Sequence, residues 1–270
     1  MTGEPAFFSV EKTPEGDVLT PLPTAAGNWG PNRMRGLAVS GALARAVEHA
    51  VPNSGFRPVR WTLDLCRVAS MDPCRADVRV LRSGRRVSLV EADLFQEKTK
   101  VATARALFLK PDSEVTTADV WSQSARLQPP PTDLRPGTDE PRLHYRDHQG
   151  WASTPASDNN DNRKVMWVWG VRVAEDEPLT AFQFAASAAD VASVVGNWGS
   201  AGMQFINADV TLSLARLPQG LEIGLAATDR VESDGISTST VSVFDRSGTL
   251  GTAVVSALAN VRATVDPRMR

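Results

Sequence analysis

The sequence predicts an α+β fold in which two antiparallel sheets, joined in one chain, each wrap one helix. Three observations predict it: each half carries a helix of small residues, alternating strand patterns follow each helix, and the second set of strands repeats the first. A helix and a curled antiparallel sheet bury each other best when the sheet wraps the helix. The 270 residues are long enough for a substantial core.

The first half shows strands on both sides of its helix. Residues 6–20 hold two short strand patterns around a Pro-Glu-Gly-Asp turn. Residues 34–51 carry small and aliphatic side chains, which predict a helix with little bulk. Alternating strand patterns follow in three stretches: 59–68, 76–96 and 100–110.

The second helix is predicted over residues 180–195. Thr180 is a suitable N-cap, with Gln183 three residues later as in a capping box. Asp190 lies among alanines and serines, and burying its carboxylate without a partner would cost several kcal/mol or raise its pKa. We therefore expect a polar group to contact Asp190, although an ordinary helix with one solvated Asp is the competing interpretation. Three glycines predict the end of the helix and a loop: Gly196, Gly199 and Gly202.

A constant offset of 149 residues relates the strands of the two halves. Aligning Trp61 with Val210 matches several residues without a gap, and the turns fall in register. The matched residues include Thr62 with Thr211, Leu63 with Leu212, Arg67 with Arg216, Ser88 with Ser237 and Phe95 with Phe244. This pattern favours an internal duplication, so each half is predicted to be a hotdog fold.

The predicted boundaries follow from composition. Residues 111–140 are rich in proline and polar side chains, which is typical of a linker. The N-terminal hotdog is therefore predicted over residues 1–110 and the C-terminal hotdog over residues 141–270.

Charge and cysteine content argue against several classes of protein. A formal net charge of -2 and a pI near 6.0 argue against a nucleic-acid or anionic-membrane partner. No apolar run is long enough to span a bilayer, so a cytoplasmic location is expected. Cys66 and Cys74 have neither disulfide nor zinc spacing. His144 and His148 lack a third ligand nearby, so we expect neither a metal nor another cofactor.

Three segments of the chain resemble the type II acyl-CoA thioesterases, a double-hotdog family also called TesB-like. RMRGLAVSGALARAVE, at 33–48, resembles the family's first helix, with Arg35 and Gly36 where paired glycines usually stand. NADVTLSLARLP, at 207–218, and FDRSGTLGTAVVSALA, at 244–259, resemble a strand and the final hairpin of the second half.

The resemblance implies hydrolysis of a medium- or long-chain acyl-CoA without a metal or a covalent intermediate. Family members hold the attacking water with an Asp, a Thr or Ser, and a Gln. Asp190 matches the first position, whereas Asn207 stands at the second and Ser256 at the third. Both replacements are polar, but the Ser256 side chain is shorter than that of Gln.

The chemistry itself requires a base and donors for the developing oxyanion. Asp190 is the candidate base, and the Asn207 amide or N–H groups of the 196–202 loop are candidate donors. The alternative is a hotdog protein that binds an acyl thioester with weak or no hydrolysis, and a third possibility is a purely structural role. Unpaired sheet edges and several tryptophans favour a homo-oligomer.

Overall fold

The computed structural model describes residues 5–51, 55–112, 114, 120, 127–135, 142–146, 150–152 and 159–265. Within these residues the helices are α1 (Gly36–Ala50), α2 (Ala181–Ala189) and α3 (Val191–Asn197). The strands of the first half are β1 (Ala6–Thr13), β2 (Gly16–Pro21), β3 (Arg57–Leu65), β4 (Arg75–Ser83), β5 (Val87–Gln96) and β6 (Thr99–Leu109). The later strands are β7 (Arg142–Arg146), β8 (Gly150–Ala152), β9 (Val165–Trp169), β10 (Arg172–Ala174), β11 (Trp198–Gly199), β12 (Gly202–Met203), β13 (Phe205–Asn207), β14 (Asp209–Leu214), β15 (Glu222–Ser233), β16 (Ile236–Asp245) and β17 (Gly248–Ala259).

One antiparallel sheet of 12 strands runs through both halves. Its order is β4-β5-β6-β3-β14-β17-β16-β15-β9-β7-β8, and β13 also pairs with β17. The halves meet where β3 pairs with β14, with Thr62 opposite Thr211. These two residues are also matched by the repeat, so the pseudo-twofold axis passes between them. The predicted double-hotdog α+β fold is confirmed.

The helices pack on the concave side of this sheet and against each other. α1 contacts β4, β5 and β6, whereas α3 contacts β15, β16 and β17. α2 lies against α1 and β14. Small residues let the helix backbones approach closely: Ser40 Oγ donates to Ala186 O at 2.6 Å, and Ser187 Oγ donates to Leu37 O at 2.8 Å.

The predicted N-cap of the second helix is confirmed, but the capping box is incomplete. Thr180 Oγ1 accepts from the Gln183 backbone N–H at 3.1 Å. The Gln183 side chain does not return to the cap. It donates to Glu48 Oε2 at 2.9 Å, because the end of α1 brings this carboxylate beside the start of α2. The cap therefore also joins the two halves.

The helix predicted over residues 180–195 is broken at Asp190, which separates α2 from α3. The first helix is unbroken and lies close to its predicted bounds. Among the described residues, no helix is long and apolar enough to cross a membrane.

A described part of the predicted linker packs on the outer face of the second half. Leu127 and Leu134 contact a cluster that contains Trp167 and Phe244. Arg246 Nη1 also donates to Pro130 O at 2.7 Å. Most of residues 111–140 and His148 lie outside the described residues, so the division into domains stays a prediction.

Candidate active site

Asp190 lies at the break between α2 and α3, and its side chain is half-buried. Its backbone N–H donates to Ser187 O, three residues back, at 3.3 Å. Its own carbonyl accepts from Ser193 N at 3.1 Å, again three residues away. Such tightened turns inside a helix often occur at functional positions. The Asp190 carboxylate lies against the start of α1.

Gly36, the first residue of α1, provides the space for this carboxylate. A Cβ atom built on Gly36 would lie 2.3 Å from Asp190 Oδ1, far inside van der Waals contact. Any side chain there would have to displace the carboxylate. Gly36, which stands where the family usually has one of its paired glycines, therefore leaves the space that a residue of the second half requires.

Asn207 is the polar partner expected for Asp190. It ends β13, and its Nδ2 donates to Asp190 Oδ1 at 3.0 Å. Because Asn207 is also half-buried, the pair lies at the edge of the core with access to the cleft beside it.

Two cavities meet at Asp190. The larger has a volume of about 320 Å³, and the smaller about 80 Å³. Both are lined by Trp29, Gly36 and Asp190. The larger is mostly apolar and is completed by Met34, Val39, Leu65, Val68, Ala69, Ile206 and Leu258, with Arg33, Cys66 and Arg67 at exposed positions. Its volume falls within the range usual for small-molecule sites.

Ser256 does not converge with these residues. It lies on β17, where Val255 and Ala257 face the core and Ser256 is exposed. Asn207 is paired with Ala257, so the strand presents alanine where Asn207 points. The Ser256 backbone N–H donates to Asp209 Oδ1 at 2.7 Å. The structure thus brings Asp190 and Asn207 together and places Ser256 on the outer face of the sheet.

Arg45, a buried cation, is the tenth residue after the N-cap of α1, as Asp190 is after the N-cap of the second helix. Arg45 Nη2 lies 2.8 Å from Asp17 Oδ2 and 2.6 Å from Glu177 Oε1. The hydrogen bond from Arg45 holds the pKa of Glu177 below its usual range. The same bond raises the pKa of Arg45. Arg45 is thus held by two carboxylates, whereas Asp190 lines the cleft.

Two contributors to the site had no signal in the sequence pattern. Ser40 and Trp61 are fully buried residues of the first half that make hydrogen bonds leading to α2. They look like ordinary core positions when the sequence is considered alone. Among the described residues, no group of three or more His, Cys, Asp or Glu side chains is placed to hold a metal ion.

Comparison with known proteins agrees with the fold described above. Residues 25–109 match the family model of the acyl-CoA thioesterase N-terminal domain. The predicted resemblance to acyl-CoA thioesterases is confirmed. The match covers α1 and the β3–β6 strands, including Gly36. A search of curated proteins found no match.

Solved structures extend the likeness of fold to nearly the whole chain. A candidate thioesterase II from Thermobifida fusca is 18% identical with a TM-score of 0.68, over 94% of this chain and 96% of that one. The TesB protein of Mycobacterium avium subspecies paratuberculosis is 15% identical with a TM-score of 0.65, over 93% and 95%. A hot dog fold protein of unknown function from Alicyclobacillus acidocaldarius is 16% identical with a TM-score of 0.61, over 90% and 92%. These structures show the fold, and the matched domain supports a thioester hydrolase.

Proposed function

We propose that this protein hydrolyses a medium- or long-chain acyl-CoA to the free acid and CoA, with Asp190 as the general base. The observation that carries the proposal is the Asp190–Asn207 pair at the junction of two cavities. The matched thioesterase domain supports the substrate class.

The reaction needs no group beyond the side chains and a water. An ionised carboxylate can accept several hydrogen bonds, so Asp190 can hold a water while Asn207 donates to Oδ1. The water oxygen attacks the thioester carbonyl carbon as its proton passes to Asp190. The C–S bond then breaks and CoA leaves as the thiolate, which takes up the proton held by Asp190 and so restores the base.

The two ends of the substrate find different surroundings in the larger cavity. Buried Met34, Val39 and Ala69 offer an apolar wall for the acyl chain. Arg33 and Arg67 are exposed at the same cavity, where guanidinium groups can pair with the phosphates of CoA. This division supports acyl-CoA as substrate and a chain long enough to use the apolar wall.

Release of free thiol from a panel of acyl-CoAs tests the proposal. The panel runs from butyryl-CoA to palmitoyl-CoA, each incubated with purified protein and with the Asp190→Asn variant. We expect the highest kcat/KM with medium or long chains and almost no release by the variant. Failure of the wild-type protein to release thiol from any chain would contradict the proposal.

The position of Ser256 favours a second candidate function. With Ser256 on the outer face, the site lacks the third polar group of the family arrangement. An acyl-thioester-binding protein with weak or no hydrolysis would have such a site. Thermal stabilisation by a non-hydrolysable acyl-CoA without thiol release from the true thioester would support this candidate.

A homo-oligomer and a cytoplasmic location remain predictions from the sequence. Exposed apolar side chains on the second half, including Ile236 and Leu258, are consistent with self-association. Light scattering at micromolar concentration measures the size of the oligomer directly. Particles of only 29.1 kDa would contradict the predicted homo-oligomer.

A further inference from the structure

A buried chain of hydrogen bonds runs from the first half to the backbone beside Asp190. Trp61 Nε1 donates to Ser40 Oγ at 3.0 Å, and Ser40 Oγ donates to Ala186 O at 2.6 Å. Trp61 and Ser40 are 1% and 0% exposed, so no water competes for these bonds. Trp61 is also held by an edge contact with Phe182 of α2, with ring centroids 5.7 Å apart.

The carbonyl reached by this chain is the one that a regular helix would use for Asp190. In an α-helix the N–H of residue 190 donates to the carbonyl of residue 186. Here the Asp190 N–H donates to Ser187 O, while Ala186 O accepts from Ser40. The Ser40 hydrogen bond thus takes one of the two acceptor sites of the Ala186 carbonyl, one turn before the helix break.

The equivalent contact on α1 has the hydroxyl but not the indole. Ser187 Oγ donates to Leu37 O in the same manner, yet α1 continues without a break. The repeat places aliphatic Val210 where the first half has Trp61, so no indole N–H is available at the matching place. A donor that also accepts a hydrogen bond is polarised and binds more strongly. The poor helix propensity of Asp adds to the effect at position 190.

We propose that Ser40 and Trp61 are positioning residues for Asp190. They hold the helix break that turns the carboxylate toward Gly36 and the cleft. The first half thereby sets the geometry of the base in the second half. This inference rests on the proposed role of Asp190 as the base.

Ser40→Ala and Ser187→Ala form the decisive pair of variants. Ser187→Ala removes one interhelical hydrogen bond, whereas Ser40→Ala removes two and leaves the Trp61 N–H without its acceptor, so Ser40→Ala should lower the melting temperature more. Only Ser40→Ala should lower kcat, by about tenfold, because the Asp190 carboxylate loses its alignment. KM should change little, because the binding site of the substrate is not altered. Trp61→Phe keeps a large ring but removes the indole N–H, and it should lower kcat by a smaller factor.

Assays are made well below the melting temperature and expressed per folded molecule. Equal kcat for Ser40→Ala and wild type, or equal losses in Ser40→Ala and Ser187→Ala, would overturn the positioning role. Asp190→Asn is measured alongside. If Asp190→Asn abolishes turnover while Ser40→Ala does not change it, only the positioning role fails. If Asp190→Asn is fully active, the proposed base itself is wrong.

Discussion

Arg45 and Asp190 lie at the same distance along the chain from the start of their helices, yet their surroundings are opposite. Each is the tenth residue after the N-cap of its helix, Arg35 in the first half and Thr180 in the second. Arg45 is 2% exposed and paired with two carboxylates. Asp190 is half-buried, contacts an amide and lines two cavities.

The difference shows how a duplicated fold can divide two tasks. Two identical hotdogs would carry two identical clefts, because a twofold axis repeats every residue. Fusion in one chain allows each half to diverge. Here the first half closes its position with ion pairs, and the second keeps an accessible acid. The variants below test whether one position serves stability and the other serves chemistry.

Asp190→Asn should have the largest effect on turnover. The change keeps the size of the side chain but removes the proton acceptor, so kcat should fall roughly a hundredfold or more. The melting temperature should change little, because an amide can still pair with Asn207. Measuring kcat and melting temperature on one preparation separates the two effects, and unchanged hydrolysis would remove Asp190 from the mechanism.

Gly36→Ala should displace the Asp190 carboxylate and so lower kcat. The new Cβ would need the space of Asp190 Oδ1, and a displacement on the order of 1 Å can cost up to about a hundredfold in rate. Gly41→Ala is the matched control, because its Cβ would meet Val173 Cγ2 at 3.1 Å and not the carboxylate. We expect Gly41→Ala to affect melting temperature and to leave kcat near wild type. Full activity in Gly36→Ala would mean that the observed carboxylate position is not the reactive one.

Arg45→Met should affect stability and not turnover. Removing one partner of a buried ion pair is destabilising, but Asp17 and Glu177 are partly exposed and can be rehydrated. We therefore expect a loss of about 2 kcal/mol, below the usual range for fully buried pairs. Urea unfolding measures it, with exposed Arg82→Met as control. A fall in kcat per folded molecule would show that the two halves do not divide the tasks as described.

Asn207→Ala should lower kcat by about tenfold, the value of one hydrogen bond to a charged group. The base and the water remain, so the loss should be smaller than in Asp190→Asn. Ser256→Gln should not raise kcat, because the longer side chain would extend from the outer face of β17. A clear gain in Ser256→Gln would show that residue 256 can reach the cleft.

The smallest effect concerns acid stability. Because Arg45 lowers the pKa of Glu177 in the folded protein, this group stabilises the fold above its ordinary pKa near 4.5. That stability is lost as the pH falls through the lowered folded pKa. The melting temperature of Arg45→Met should therefore depend less steeply on pH below about pH 5 than that of wild type. Parallel curves for the two proteins would contradict the assigned cause.

The fold could be predicted because its signals are local and repeated. Alternating strands, small-residue helices and the 149-residue offset do not depend on knowing the tertiary contacts. β5 and β16 begin and end at residues that differ by this offset. The partner of Asp190 was expected from the cost of burying a carboxylate, and Asn207 provides it.

The missed features depend on contacts that are distant in sequence. The break at Asp190 involves Ser40, which no local pattern connects to α2. The resemblance of the final hairpin places Ser256 at the third polar position, but the register of β17 shifts between Thr249 and Gly251, opposite Phe244 and Val243. A bulge changes which side chains face inward, so counting along the strand does not give the face.

The junction between β3 and β14 has a consequence for synthesis. A ribosome completes β3 long before the residues of β14 emerge, since Thr62 and its partner Thr211 are separated by 149 residues. At a translation rate of about 5–20 residues per second, the edge of β3 stays unpaired for roughly 7–30 s before β14 is made. During this time the nascent chain presents an unpaired strand edge, which is a site for wrong association. Slow codons in the stretch between the two strands would prolong that exposure, and the yield of folded protein in cell-free translation should fall when they are introduced.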